Sequence, residues 1–237
     1  MSQILVELIK LASLIITLSK AAASASRVSA VLTKEPQAAP TPDKQIGDDK
    51  YAVCFDNVSF GYNTSADRAI EGISFSAKHG EVIGVIGSTG SGKSTLVNLI
   101  PAFYFAGEGN VFVNGKNTAV YDKQEICDLV SIVPQKAQLF KGTVRSNLLW
   151  GNADATDEMM WAALEAAQAK DFIADKGGLD TPVMQNGSNF SGGQRQRLTI
   201  AQALVRKPKI LILDDSASAL DYATDAKLRM AIRGMQE

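Results

Sequence analysis

The run Gly87-Ser88-Thr89-Gly90-Ser91-Gly92-Lys93-Ser94 stands between an apolar stretch, Val82-Ile83-Gly84-Val85-Ile86, and a helix-like segment from Thr95 to Phe103. Strand, glycine-rich turn and helix in direct succession make backbone N–H groups face one point, with the positive end of the helix dipole behind them. Glycines allow the positive φ that such a turn uses. The pattern suits phosphates: Lys93 reaches the β and γ phosphates, Ser94 is the expected Mg²⁺ ligand, and the segment from Gly87 through Thr95 is the candidate binding loop. The plain alternative, a Gly and Ser-rich turn with no ligand, loses force because strand and helix flank the motif as it requires.

Further along, Ile210-Leu211-Ile212-Leu213 are four consecutive apolar residues followed by Asp214-Asp215. Such a run fits a strand buried on both faces of a parallel sheet, and ligands of α/β sheets bind at the carboxyl ends of their strands. Asp214 is thus placed to hold Mg²⁺ through water, and Asp215 lies one residue on, towards an attacking water. Without the phosphate loop, an Asp pair here would read as a helix cap or turn. Just before this strand comes Phe190-Ser191-Gly192-Gly193-Gln194-Arg195-Gln196-Arg197, in which Ser191-Gly192-Gly193-Gln194 opens a helix. That helix start offers a second set of N–H groups and a hydroxyl to the same kind of ligand. Two phosphate-gripping surfaces in one chain suggest a dimer closing around nucleotide.

The rest of the chain is consistent with an α/β protein. With 237 residues, 46% of them hydrophobic, it can bury a proper core. A net charge of -1 with no basic stripe argues against a general nucleic-acid binder. Cys54 and Cys127 lack CxxC spacing and a neighbouring histidine, so they read as reduced thiols packed in a cytosolic core. Val53, Phe55, Val58 and Phe60 alternate as a half-buried strand; Ile73-Ser74-Phe75 and the run from Gly80 to Ile86 read as strand, turn and strand. Val111-Phe112-Val113 into Asn114-Gly115 predicts a hairpin turn. Strands at Ile132 and Ile210, with helices over 156–169 and 193–206 between them, predict a parallel core sheet, an added antiparallel β subdomain and an α-helical subdomain carrying residues 191–194.

The first fifty residues differ in character. Ile4 to Leu18 is nearly continuous apolar sequence, broken by Glu7 and Lys10 and shorter than the roughly 20 residues of a membrane span. It reads as part of a span. Helical periodicity continues to Val31-Leu32, and Pro36, Pro40 and Pro42 end it in a linker over residues 35–50. A signal peptide is a competing reading, weakened by Glu7 and a start that is not basic, and an amphipathic helix lying on a partner is a third.

In combination and order these motifs resemble the nucleotide-binding domain of an ATP-binding cassette (ABC) transporter, of the exporter type that fuses a membrane domain to its ATPase. The resemblance covers nearly the whole chain. It implies a P-loop NTPase core, with residues 1–34 as the end of the last transmembrane helix and its cytosolic extension, and residues 51–237 as the ATPase domain. It further implies that Tyr62 in Phe60-Gly61-Tyr62 stacks on adenine and that Gln135 in Ile132-Val133-Pro134-Gln135 senses Mg²⁺ and faces the membrane domain. Ser191, Gly192, Gly193 and Gln194 match the signature motif, and Ser218-Ala219-Leu220-Asp221 match a loop that crosses to the opposite subunit. The implied ligands are ATP and Mg²⁺; the implied partners are a second nucleotide-binding domain, in a homodimer or heterodimer, and a transmembrane domain. The implied location is the cell membrane, with the ATPase on its cytoplasmic face. Lys93, Gln135 and Asp215 would be the catalytic set.

From the residues alone, Tyr62 also reads as an edge-strand aromatic and Gln135 as a polar loop residue. Arg195 and Arg197, two apart on one helix, point different ways and read as solvated or ion-paired rather than as phosphate contacts. His79, in Lys78-His79-Gly80-Glu81, reads as an exposed turn residue. Two departures from the family pattern stand out. Asp215 occupies the position of a glutamate general base, and its carboxylate reaches less far. The family's switch histidine lies on a later strand, past Glu237, so the chain reads as a fragment truncated at both ends and poorly stable alone. Three functions follow as expectations: ATP hydrolysis powering export; a weakly or non-hydrolysing ATP-binding subunit of a heterodimeric exporter; and a soluble cassette ATPase acting on nucleic acid or ribosomes, which the apolar N-terminal helix and the single cassette disfavour.

Overall fold

The computed structural model describes residues 2–34, 39–62, 68–216 and 220–235. Two units are distinct along the chain, residues 1–39 and residues 40–237. The first contains a single unbroken helix, α1 (Ser2–Leu32). Within it Glu7 pairs with Lys10 at 2.8 Å, and the hydroxyls of Thr17 and Ser19 donate to the carbonyls of Ser13 and Ile15. Its apolar run gives way at Lys20, Ser24, Ser26 and Arg27. No described helix is long and apolar enough to cross a membrane.

The second unit opens with β1 (Tyr51–Phe60), β2 (Ile70–Lys78), α2 (Lys93–Leu99), β3 (Glu108–Val113) and β4 (Lys116–Asn117). Next come α3 (Lys123–Leu129), β5 (Val130–Val133), β6 (Gly142–Thr143) and α4 (Val144–Leu149), then α5 (Asp157–Ala166), α6 (Lys170–Ala174) and β7 (Pro182–Val183). It closes with α7 (Gly192–Leu204), β8 (Ile210–Leu213) and α8 (Tyr222–Gly234).

The alternation of Val53, Phe55 and Val58 produces β1, which pairs antiparallel with β2 on one side and β3 on the other, in the order β2-β1-β3-β4. Asn114 (φ 46°) and Gly115 (φ 73°) both take positive φ, so the predicted hairpin turn forms with the twist that joins β3 to β4. Residues 44–47 run along this sheet: Gly47 N–H donates to the Gly115 carbonyl at 2.8 Å, and Asn117 donates to the carbonyls of Gln45 and Lys44. The larger unit therefore begins at Pro40, inside the stretch whose composition reads as linker.

Two apolar cores divide the work. One gathers Phe55, Val58, Val111 and Val113 of the antiparallel sheet with Leu99 of α2, Val130 of β5 and Ile212 of β8. The other packs Leu148, Met160, Leu164, Ile173, Leu198 and Ile200 of the helical lobe, and it takes in Val133 at the end of β5. The lobe leaves the sheet after β5 and returns at β8, as the order of strands and helices predicts.

Some boundaries differ from expectation. Residues 81–88, read as a strand from Gly80 to Ile86, carry no regular structure, and Ile86 is 95% exposed. A doubly buried strand needs neighbours for its N–H and C=O groups. Among the described residues the parallel sheet is β5 and β8 alone. Helix α2 starts at Lys93 rather than Thr95 and stops before Pro101, where Ala102 (φ 56°) turns the chain. The helix expected over 156–169 breaks at Gln168 (φ 57°) into α5 and α6.

Arg145 of α4 ties the lobe together by pairing with Asp157, at the start of α5, and donating Nε to Asp180 at 3.0 Å. Its guanidinium holds the Asp157 carboxyl below the usual carboxylate range. A depressed carboxyl stabilises the fold above its unfolded pKa, about 3.9, and that contribution disappears as pH falls through the lowered native value. Thermal melts of the intact protein should therefore lose midpoint more steeply below about pH 4 than melts of Arg145→Met. Equal acid slopes in the two proteins would show that the pairing adds nothing.

Candidate functional site

The glycine-rich loop leads into α2 through Gly92, whose φ of 86° is left-handed. A Cβ there would sit 2.7 Å from both the Ala69 carbonyl oxygen and Ile70 Cγ2, so glycine alone fits. Gly90 takes φ 82° in the same loop. The half-buried Lys93 bends back, and its Nζ donates to the carbonyls of Gly87 at 2.9 Å and Ser88 at 2.8 Å. One cation is thus held over the loop, while residues 87–91 remain exposed.

The carboxyl edge of the parallel pair supplies the acids. Val130 to Val133 pair with Ile210 to Leu213 in register, and Asp214 N–H continues the ladder by donating to the Val133 carbonyl at 3.0 Å. That register sets Pro134-Gln135 beside Asp214-Asp215. Gln135 Nε2 donates to Asp215 Oδ2 at 3.0 Å. Ser94 Oγ donates to Asp214 Oδ1 at 3.2 Å, joining the first turn of α2 to the same edge. Five residues singled out by motif, Lys93, Ser94, Gln135, Asp214 and Asp215, are thereby linked through one loop and two strand ends.

A hydroxyl, an amide and two carboxylates are hard donors of the type Mg²⁺ prefers, and that ion commonly takes only one or two protein ligands beside phosphates and water. Ser94, Asp214 and Gln135 could hold it. Among the described residues no three His, Cys, Asp or Glu gather into a metal cage.

Tyr62 lies beyond the end of β1, half in solvent, with its hydroxyl 3.0 Å from the buried Thr95 Oγ1. Thr95 therefore joins the end of the glycine-rich loop to the expected base-stacking aromatic. Residues 191–194 start α7 as a capping box: Gln194 N–H donates to Ser191 Oγ at 3.3 Å, and Ser191 N–H donates to Gln194 Oε1 at 3.1 Å. Ser191 and Gly192 are exposed. Among the described residues no hydrogen bond joins this helix start to the loop of its own chain. Asp221 caps α8 by accepting from Thr224, while Ser218 and Ala219 lie outside the described residues.

Two arginines correct the expectation of solvated or ion-paired side chains. Arg195 Nη1 donates to the Phe190 carbonyl and Arg197 Nη1 to the Gln168 carbonyl, both at 2.7 Å, and the Arg197 guanidinium lies 4.7 Å over the Phe172 ring. Carbonyls left over at a helix end and in the loop before α7 need donors, and a guanidinium carries several. Burial pushes the Arg197 guanidinium below its ordinary pKa. Gln196, which motif reading passed over, is 2% exposed and points Nε2 at the Pro134 carbonyl, 3.5 Å away. A polar side chain just ahead of the buried run Leu198, Thr199, Ile200 and Ala201 in the same helix was the available signal. His79 is, as expected, an exposed turn residue, its Nε2 3.1 Å from the Asp49 carbonyl.

Comparison with known proteins places these features in context. The family model described as ABC transporter matches residues 70–218. An uncharacterized ABC transporter ATP-binding protein of Bacillus subtilis, YfiB, is 41% identical over 223 residues, covering 92% of this chain and 38% of the relative. The ATP-dependent lipid A-core flippase of Haemophilus ducreyi is 36% identical over 82% of this chain and 34% of its own length. The Brucella suis beta-(1-->2)glucan export ATP-binding/permease protein NdvA is 39% identical, covering 79% of this chain and 31% of the relative. A bacterial Atm1-family ABC exporter, solved with ATP bound, superposes with a TM-score of 0.81 at 30% identity, over 93% of this chain and 39% of that one. The chain thus spans about two fifths, or less, of the length of the proteins it matches.

Gly92 offers the sharpest test of the loop. Gly92→Ala should weaken binding of a magnesium nucleoside triphosphate at least tenfold by calorimetric titration, and destabilise the protein by more than about 1–2 kcal/mol, since the left-handed position alone carries that cost and the clash with the Ala69 carbonyl adds to it. Unchanged affinity would show that the loop does not hold the phosphates.

Proposed function

Because the chain belongs to the ABC transporter family, we propose that it binds ATP with Mg²⁺ and hydrolyses it to power export of a substrate across a membrane. The observation that carries this reading is the carboxyl edge where Ser94 meets Asp214 and Gln135 meets Asp215. Lys93 and the N–H groups of Gly87 to Ser94 hold the phosphates, Tyr62 takes the adenine, and Ser94 with Asp214 and Gln135 form the Mg²⁺ site. When bound there, the ion neutralises charge developing on the transferred phosphoryl group. Asp215, oriented by the Gln135 amide, accepts the proton of the attacking water, which displaces the leaving group in line.

Two such domains pair head to tail, so that Ser191, Gly192, Gly193 and Gln194 of one cover the nucleotide held by the other. Support comes from the exposure of Ser191 and Gly192 at a helix N-terminus. Closing and opening of the pair would move a membrane domain, to which residues 1–34 connect, with residues 51–237 as the ATPase on the cytoplasmic face and residues 35–50 between them. The relatives named as a flippase and a glucan export protein favour outward transport.

A second reading makes this chain the weak site of a heterodimer. Asp215 is one methylene shorter than glutamate, and its backbone adopts φ 48°, a left-handed conformation that aspartate enters more readily than glutamate. A general base is typically worth about 10² to 10⁴ in rate, so shortened reach can leave binding intact and slow the chemistry.

Two variants of the intact protein separate the possibilities. Lys93→Ala should abolish ATP hydrolysis and weaken nucleotide binding; retained turnover would defeat the proposal itself. Asp215→Glu should leave steady-state hydrolysis within about threefold if the aspartate is a competent base. A gain of tenfold or more, on the scale that a base contributes, would establish the weak-site reading instead.

A further inference from the structure

We propose that Tyr104 is a positioning residue for the adenine end of the nucleotide, acting through Tyr62; the inference rests on the ATP-binding reading above. Tyr62 lies just past the end of β1 and is 51% exposed. An aromatic so placed would sample several rotamers, and fixing one upon binding costs affinity. Here it is wedged. The Phe60 ring lies 5.1 Å away at 83° and the Tyr104 ring 5.1 Å away at 89°, both edge-to-face contacts, while Phe60 and Tyr104 are themselves 5.5 Å apart. At its tip the Tyr62 hydroxyl meets Thr95 Oγ1 at 3.0 Å.

These supports have different origins. Phe60 belongs to the same strand end as Tyr62 and also packs on Tyr104 and on the core that includes Leu99 of α2. Tyr104 follows α2, and the connection is held to the helix by Ala102 N–H donating to the Leu99 carbonyl and Phe103 N–H to the Asn98 carbonyl. Thr95 is in the first turn of α2, beside Lys93 and Ser94. Tyr104 and Thr95 therefore clamp Tyr62 to the helix that carries the phosphate site. The base end and the phosphate end share one frame, and the distance between them is set before ATP arrives.

Binding of magnesium ATP and of magnesium tripolyphosphate, which has no base, tests this in the intact protein. An edge-to-face aromatic pair contributes enough for Tyr104→Ala to weaken ATP about three- to tenfold. Tripolyphosphate affinity should stay unchanged, Tyr104→Phe should retain ATP affinity, and Tyr62→Ala with Tyr104→Ala should bind ATP no more weakly than Tyr62→Ala alone. ATP affinity unmoved in Tyr104→Ala, equal losses for the two ligands, or additive losses in the double variant would each overturn the proposal. If Tyr62→Ala itself leaves ATP binding intact, the base does not lie on Tyr62 and the proposal fails, while the phosphate site stands or falls separately with Lys93→Ala.

Discussion

The parallel register of two short strands governs the site. Val133 opposite Leu213, followed by the Asp214 N–H on the Val133 carbonyl, puts both strand ends at one level. Side chains alternate along a strand, so a slip of one residue would turn Asp214 and Asp215 to opposite faces and break the contacts to Ser94 and Gln135. Packing resists that slip from both sides. Ile212 and Val130 belong to the core under the antiparallel sheet, whereas Val133 belongs to the core of the helical lobe. The strand pair is the seam between two cores, and the acids lie at its end.

The route of the chain gives this seam a second meaning. Between β5 and β8 the polypeptide builds the whole helical lobe and returns through α7, whose first residues form the exposed capping box of Ser191 and Gln194. Directly after it, Gln196 points at the Pro134 carbonyl beside Gln135, and Arg195 and Arg197 fasten α7 to Phe190 and Gln168. Any shift of the lobe against the sheet thus bears on the residue next to Gln135. In the proposed dimer, where the box covers a partner's nucleotide, the same helix would touch both sites.

Local chemistry explains what was readable in the sequence. Asn114-Gly115 is a turn because those residues accept positive φ, and the loop around Gly92 is recognisable because only glycine fits there. The alternation in Val53, Phe55 and Val58 identified β1 by burial. Features that depend on distant partners were not readable. Val82 to Ile86 are as apolar as Ile210 to Leu213, yet only the latter find a neighbouring strand in the described structure. Lys44 to Gly47 read as linker because the backbone groups they bond, on Gly115 and Asn117, lie far along the chain. The partners of Arg195 and Arg197 are carbonyls, which no side-chain pattern reveals. The positions of Ser94, Gln135, Asp214 and Asp215 followed from motif, but their pairing required the register.

A double-mutant cycle on Gln135 and Asp215, read by single-turnover ATP hydrolysis in the intact protein, tests most directly whether the two strand ends act as one unit. If the Gln135 amide works by holding the Asp215 carboxylate, Gln135→Ala combined with Asp215→Asn should lose no more rate than the worse single variant. Losses that multiply would mean that the two residues act independently, and that the register joining β5 to β8 does not assemble the catalytic edge.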